Sequence, residues 1–181
     1  MKLRPILSLA FLFGIFVLCT SGKESPEIIY WSDSDRLEWA DFAGEPRYDY
    51  QSIAALTSSG IVHYKGCENG KIKYKVRAYF EKNESWVKDE ARTEHHLIHE
   101  QIHFDITELY ARKLRKILAE RNFSCADEQA FEDCIKAFLD NWQYEQQSFD
   151  IYSRHSLDAH AQKEWYYKVE MELSLLNDYK E

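Results

Sequence analysis

The chain has 181 residues, enough for one domain with a real core and too few for several. With 45% hydrophobic, 30% charged and 15% aromatic residues it is not a disordered chain, and a formal charge of -8 makes nucleic acid and anionic membrane surfaces poor partners. In chain order, the first element is a leader. Lys2 and Arg4 precede an apolar run from Ile6 to Leu18, and small residues Thr20, Ser21 and Gly22 follow it. That pattern predicts a signal peptide over residues 1–21, and the run is too short for a transmembrane helix, so no stable membrane insertion is expected after cleavage. Lipid attachment at Cys19 is the alternative, and Leu18 is a poor preceding residue for it. Loss of Lys2 and Arg4 takes the formal charge from -8 to -10.

Residues 22–181 then form a single domain, β-rich over 28–82 and helical over 87–180. DRLEWADFAGEP ends in turn chemistry at Gly44 and Pro46, and Leu37, Trp39 and Phe42 read as anchors of a short strand or edge segment. Strands are predicted over 52–64 and 71–80, joined by KGCENG, in which Asn69-Gly70 is a hairpin signal. From Glu84 to the last residue there is no Gly or Pro, which predicts three long helices, over about 89–120, 127–147 and 160–179. The fold class is therefore α+β, a small antiparallel sheet followed by three helices.

An exported chain meets oxidising conditions, where Cys67, Cys125 and Cys134 allow one disulfide and leave one thiol. Cys125 and Cys134 are the near pair. In one straight helix nine residues would hold them roughly 13 Å apart, so their pairing requires Cys125 to lie in the preceding turn.

The first helix carries HHLIHEQIHFDI, residues 95–106, with four of the seven histidines. His99-Glu100-Gln101-Ile102-His103 is an HExxH motif. Positions i and i+4 share a helix face, so His99 and His103 can turn two imidazoles toward one Zn2+ while Glu100 stands beside them as general base. His95 and His96 read as solvated neighbours. A catalytic zinc usually takes a third protein ligand, and the break between the second and third helices offers His155, Asp150, Asp158 and His160. Asp105 and Glu108 are candidate partners for orienting an imidazole. Tyr152, Arg154 and His160 are candidate donors to an oxyanion.

Four segments carry a likeness across most of the mature chain: LEWADFAGEP, AALTSSGI, HEQIHFDITELYARKLR and FDIYSRHSLDAHAQKEW. The chain resembles the bacterial family called domain of unknown function 922, whose members are described as secreted zinc-dependent proteases. In that family the late segment reads as a Tyr-Asp pair, a Thr, a His followed by Gly or Ser, then a Gln and a Trp. Asp150, His155, Ser156, Gln162 and Trp165 fall in register here, while Phe149 and Ser153 replace the tyrosine and threonine. The resemblance implies His155 as third ligand and a periplasmic or extracellular zinc peptidase acting on a peptide or protein. A non-catalytic zinc-binding envelope protein, and a zinc hydrolase of a non-peptide or cell-wall bond, are the alternative expectations.

Overall fold

A computed structural model describes residues 27–50 and 53–181. The leader expected over residues 1–21, and Cys19 with it, lie outside the described residues. Five strands come first, β1 (Ile28–Tyr30), β2 (Ala55–Leu56), β3 (Ser59–Glu68), β4 (Lys71–Glu81) and β5 (Trp86–Val87). Three helices follow, α1 (Glu94–Arg121), α2 (Glu128–Ser153) and α3 (Ala159–Leu175). The α+β class is as expected.

The β3–β4 hairpin turns at Asn69 and Gly70, both at positive φ (51° and 74°), which is the conformation a two-residue primed turn requires. β1 adds to the outer edge of β4, so the antiparallel order is β1-β4-β3. The segment expected as one strand over 52–64 is divided. Its first part, β2, pairs instead with β5 as a separate two-stranded sheet, and β3 runs on to Glu68. Along β4, Val76, Ala78 and Phe80 are buried while Lys71, Lys73 and Lys75 are exposed, so apolar and charged residues alternate between its two faces.

DRLEWADFAGEP forms no strand. It makes one 3-10 turn, Trp39–Asp41, and spends its backbone donors elsewhere: Leu37 N–H donates to Gln101 Oε1 on α1 at 2.7 Å. Leu37 and Phe42 are nevertheless core residues. Gly44 packs directly on the β4–β5 connection, where a Cβ would come within 2.7 Å of Asn83 O and 2.8 Å of Ser85 O. Only glycine fits that approach.

α1 is the central element. One side packs on β3 and β4, the other on α2 and α3, and its burial extends round most of its circumference. Two apolar clusters flank it, one with the sheet and the start of α2, the other with Phe149, Val169 and Leu173 of α2 and α3. Its two buried carboxylates below the first turns are paired, as burial demands. Asp105 accepts from Trp31, Arg36 and Gln101, and Glu108 accepts from Arg112 and Arg115. Neither carboxylate touches an imidazole in these hydrogen bonds, which corrects the expectation that Asp105 or Glu108 orients one.

The disulfide joins Cys67 to Cys125, not Cys125 to Cys134. The reason is that the turn after α1 lies along the hairpin tip: Ile72 N–H donates to Phe123 O and Cys125 N–H to Gly70 O, each at 3.0 Å. Cys134 is instead buried in α2, where loss of water raises its thiol pKa. No helix among the described residues is long and apolar enough to cross a membrane.

Candidate metal centre

α1 begins at an N-cap, Thr93, whose hydroxyl accepts from His96 N–H, and this sets the helical phase of the histidines that follow. His99 and His103 stand one turn apart on the face toward α2. Their Nε2 atoms are 3.3 Å from each other. The last turn of α2 brings in Asp150, whose Oδ1 is 3.3 Å from His99 Nε2 and 3.2 Å from His103 Nε2. These three residues are a group that could hold a metal ion.

The distances test the fit. Ligands on arms of about 2.0–2.1 Å in a tetrahedron are separated by about 3.3–3.4 Å. The observed triangle, with edges of 3.2, 3.3 and 3.3 Å, matches one face of that figure. Two imidazoles and a carboxylate are also a donor set suited to a divalent cation of the zinc type.

Phe149, fully buried, holds the rings in place. It stacks on His99 at 4.5 Å and meets His103 edge-on at 4.9 Å, and Trp165 of α3 backs it at 5.4 Å. His103 Nδ1 lies 2.6 Å from Gln146 Oε1, one turn before Asp150 on α2. Gln146 and Trp142 both donate to Thr107 on α1, at 3.0 and 3.1 Å.

Electrostatics divide the group. Burial pulls His99 down to about 4, so its ring is neutral at neutral pH. Burial opposes the charged form of His103 too, but hydrogen bonding and charge from Asp150 outweigh it and the net shift is upward. Asp150 is likewise opposed by burial, yet His103 and His99 hold its carboxyl well below the usual carboxylate range. Glu100 is pushed up by burial.

His155 enters by an unusual route. Arg154, His155 and Ser156 are three consecutive non-glycine residues at φ of 53°, 51° and 69°. Bonds from His155 N–H to Asp150 O and from Asp158 N–H to Ser153 O, both 2.8 Å, hold this left-handed turn. It places His155 Nδ1 3.4 Å from Asp150 Oδ1. His155 is half exposed and stands outside the mutually close set of His99, His103 and Asp150.

The other candidates fall elsewhere. Asp158 caps α3 by accepting from Ala161 N–H at 3.0 Å, and His160 is exposed beside Glu164. Tyr152, Arg154 and His160 are all exposed and none lines the cleft over the metal group. His95 is not a solvated bystander: its Nε2 is 2.6 Å from Ser156 O and it helps pin the left-handed turn. His96 bonds Thr93 Oγ1 through Nδ1 and lines the cleft.

That cleft has a volume of about 580 Å³. One wall is residues 53–59 and the other is the α2 face bearing Trp142, Gln143, Gln146 and Gln147, with Glu100 and the metal group at the floor. Its lining contains no Lys or Arg among the described residues. Sequence reasoning missed Gln146, although its i, i+4 spacing to Asp150 repeats that of His99 and His103.

Comparison with protein-family models, curated proteins and solved structures finds no match to this chain.

Proposed function

We propose that this protein is an exported zinc-dependent peptidase, with Glu100 as general base and His99, His103 and Asp150 as the metal-holding group. The observation that carries the reading is the equilateral triangle of Nε2, Nε2 and Oδ1 atoms at the floor of an open cleft, with the HExxH glutamate lining the same cleft. A divalent cation held there supplies the positive charge that polarises a substrate carbonyl and acidifies an attacking water. Glu100, with its proton affinity raised by burial, takes the proton from that water and delivers it to the leaving amine. Residues 53–59 and the α2 wall bracket the substrate, and the glutamines there offer neutral hydrogen-bonding groups to it.

Membership of the domain of unknown function 922 family is part of the proposal and rests on the four segments quoted above. Export rests on the leader pattern, and the Cys67–Cys125 disulfide supports an oxidising compartment. Purified protein is expected to carry about one zinc per chain, and a zinc-free protein even after supplementation sinks the reading. Glu100→Ala should retain zinc and lose hydrolysis of a broad peptide library; undiminished cleavage removes Glu100 as the base.

A second reading is a closed, non-catalytic zinc site. It draws on His155, 3.4 Å from Asp150 Oδ1, which would have to move in toward His99 and His103 to become a fourth protein ligand.

A further inference from the structure

Each imidazole of the metal group has one nitrogen turned away from Asp150, and the surroundings of both nitrogens include a glutamine whose amide orientation is dictated by a backbone carbonyl. For Gln146, Nε2 lies 2.9 Å from His103 O and 3.0 Å from Thr107 Oγ1. A carbonyl oxygen only accepts, so the amide nitrogen must face it. Thr107 gives its single proton to the same carbonyl at 3.0 Å, leaving its oxygen free to accept from Gln146. Gln146 Oε1 is then the atom left against His103 Nδ1, at 2.6 Å. That oxygen has no proton to give, so Nδ1 carries one.

The same logic applies on α3. Gln162 is 3% exposed, and its Nε2 donates to His95 O at 3.0 Å, one turn before His99. Its Oε1 therefore points away from that carbonyl. Gln162 Oε1 and His99 Nδ1 are both buried without a hydrogen-bond partner, one an acceptor and the other a nitrogen able to donate. Gln162 is also among the side chains that act on His99. Bringing that pair together would satisfy both atoms at once.

We propose that Gln146 on α2 and Gln162 on α3 are positioning residues that hold His103 and His99 with the proton on Nδ1, so that both Nε2 lone pairs face a metal ion beside Asp150. The inference rests on the metal-centre reading of the site and not on which bond is cleaved. It gives each outer helix a role in the chemistry of α1. Because the partners are neutral amides, they fix the tautomers without adding negative charge to a floor that already holds Asp150 and Glu100.

The experiment has two arms. Nitrogen NMR of the histidine side chains in the zinc-titrated protein should show Nδ1 protonated and Nε2 shifted by the metal in both rings. A proton on Nε2 in either ring overturns the assignment for that ring. In the second arm, zinc ion is titrated against a competing chelator. Gln146→Met and Gln162→Met should bind zinc about 10- to 100-fold more weakly than wild type while keeping its circular dichroism and unfolding midpoint. Unchanged affinity in both Met variants overturns the proposal. A wild type that binds no zinc overturns the metal-centre reading and the role with it, a failure distinct from zinc bound equally well by wild type and both Met variants.

Discussion

Glu100 and Asp150 share the floor of one cleft, and their surroundings push their proton affinities in opposite directions. Glu100 is raised by burial; Asp150 is held low by two imidazoles against its own burial. Such a split lets one carboxylate stay ionised as a ligand while the other exchanges protons. Asp150 is in contact with three histidines, so Asp150→Ala should weaken zinc binding more than His155→Ala does, measured by chelator competition. The reverse order would place His155 ahead of Asp150 as a ligand. Ser156 is a second residue with a local cost, since a non-glycine side chain at φ 69° is strained by about 1–2 kcal/mol. Its hydroxyl makes no side-chain hydrogen bond that glycine would forfeit among the described contacts, so Ser156→Gly should raise stability to urea by about 0.5–1 kcal/mol. A loss of stability would show that the hydroxyl contributes more than the backbone strain costs.

Among the elements, the hairpin is tied to the turn between α1 and α2 by the Cys67–Cys125 bond, across a sequence separation of 58. Closing a loop of that length in the unfolded chain is worth about 4 kcal/mol in the chain-entropy account. Replacing both cysteines by serine should therefore lower unfolding stability by about 2–4 kcal/mol, as denaturant titration would report. The hairpin was legible in the sequence because Asn69-Gly70 is local chemistry, and the helices because nothing after Glu84 interrupts them. The disulfide was not, because it depends on Phe123 and Cys125 meeting the hairpin tip, a contact between distant segments. DRLEWADFAGEP, read as a short strand or edge segment, forms no strand for a similar reason: the Leu37 N–H is satisfied by the Gln101 side chain of α1 rather than by a neighbouring strand.

On the scale of the whole molecule, α1 is enclosed by a sheet on one side and two helices on the other, and the metal group is assembled from two of these helices. His99 and His103 could be read from spacing within α1. Asp150 was one name among four, because which face of α2 turns toward α1 is decided by packing of Phe149 against Ile102, Ile106 and Val169. Asp105 and Glu108 were read as imidazole partners because their real partners, Arg36, Trp31 and Arg115, come from elsewhere in the fold. An ion bridging α1 and α2 should bind the folded chain and not the unfolded one. Zinc at about 100 times its dissociation constant should add about 2.7 kcal/mol to stability, read as a rise in Tm that a chelator reverses. A Tm indifferent to zinc and chelator would argue against an ion at that junction.

The buried thiol of Cys134 bears on how the chain reaches this structure. Cys125 and Cys134 are nine positions apart, whereas the native bond spans 58. Loop-closure probability falls as about the three-halves power of length, so in an unfolded chain the wrong pair meets about 16 times as often as Cys125 meets Cys67. Formation of α2 carries Cys134 into the core and withdraws it from that contest. Oxidative refolding is thus a race between winding a helix and closing a short ring. Cys134→Ala should remove the losing route and raise the yield of correctly crosslinked protein, as non-reducing electrophoresis of refolding samples would show.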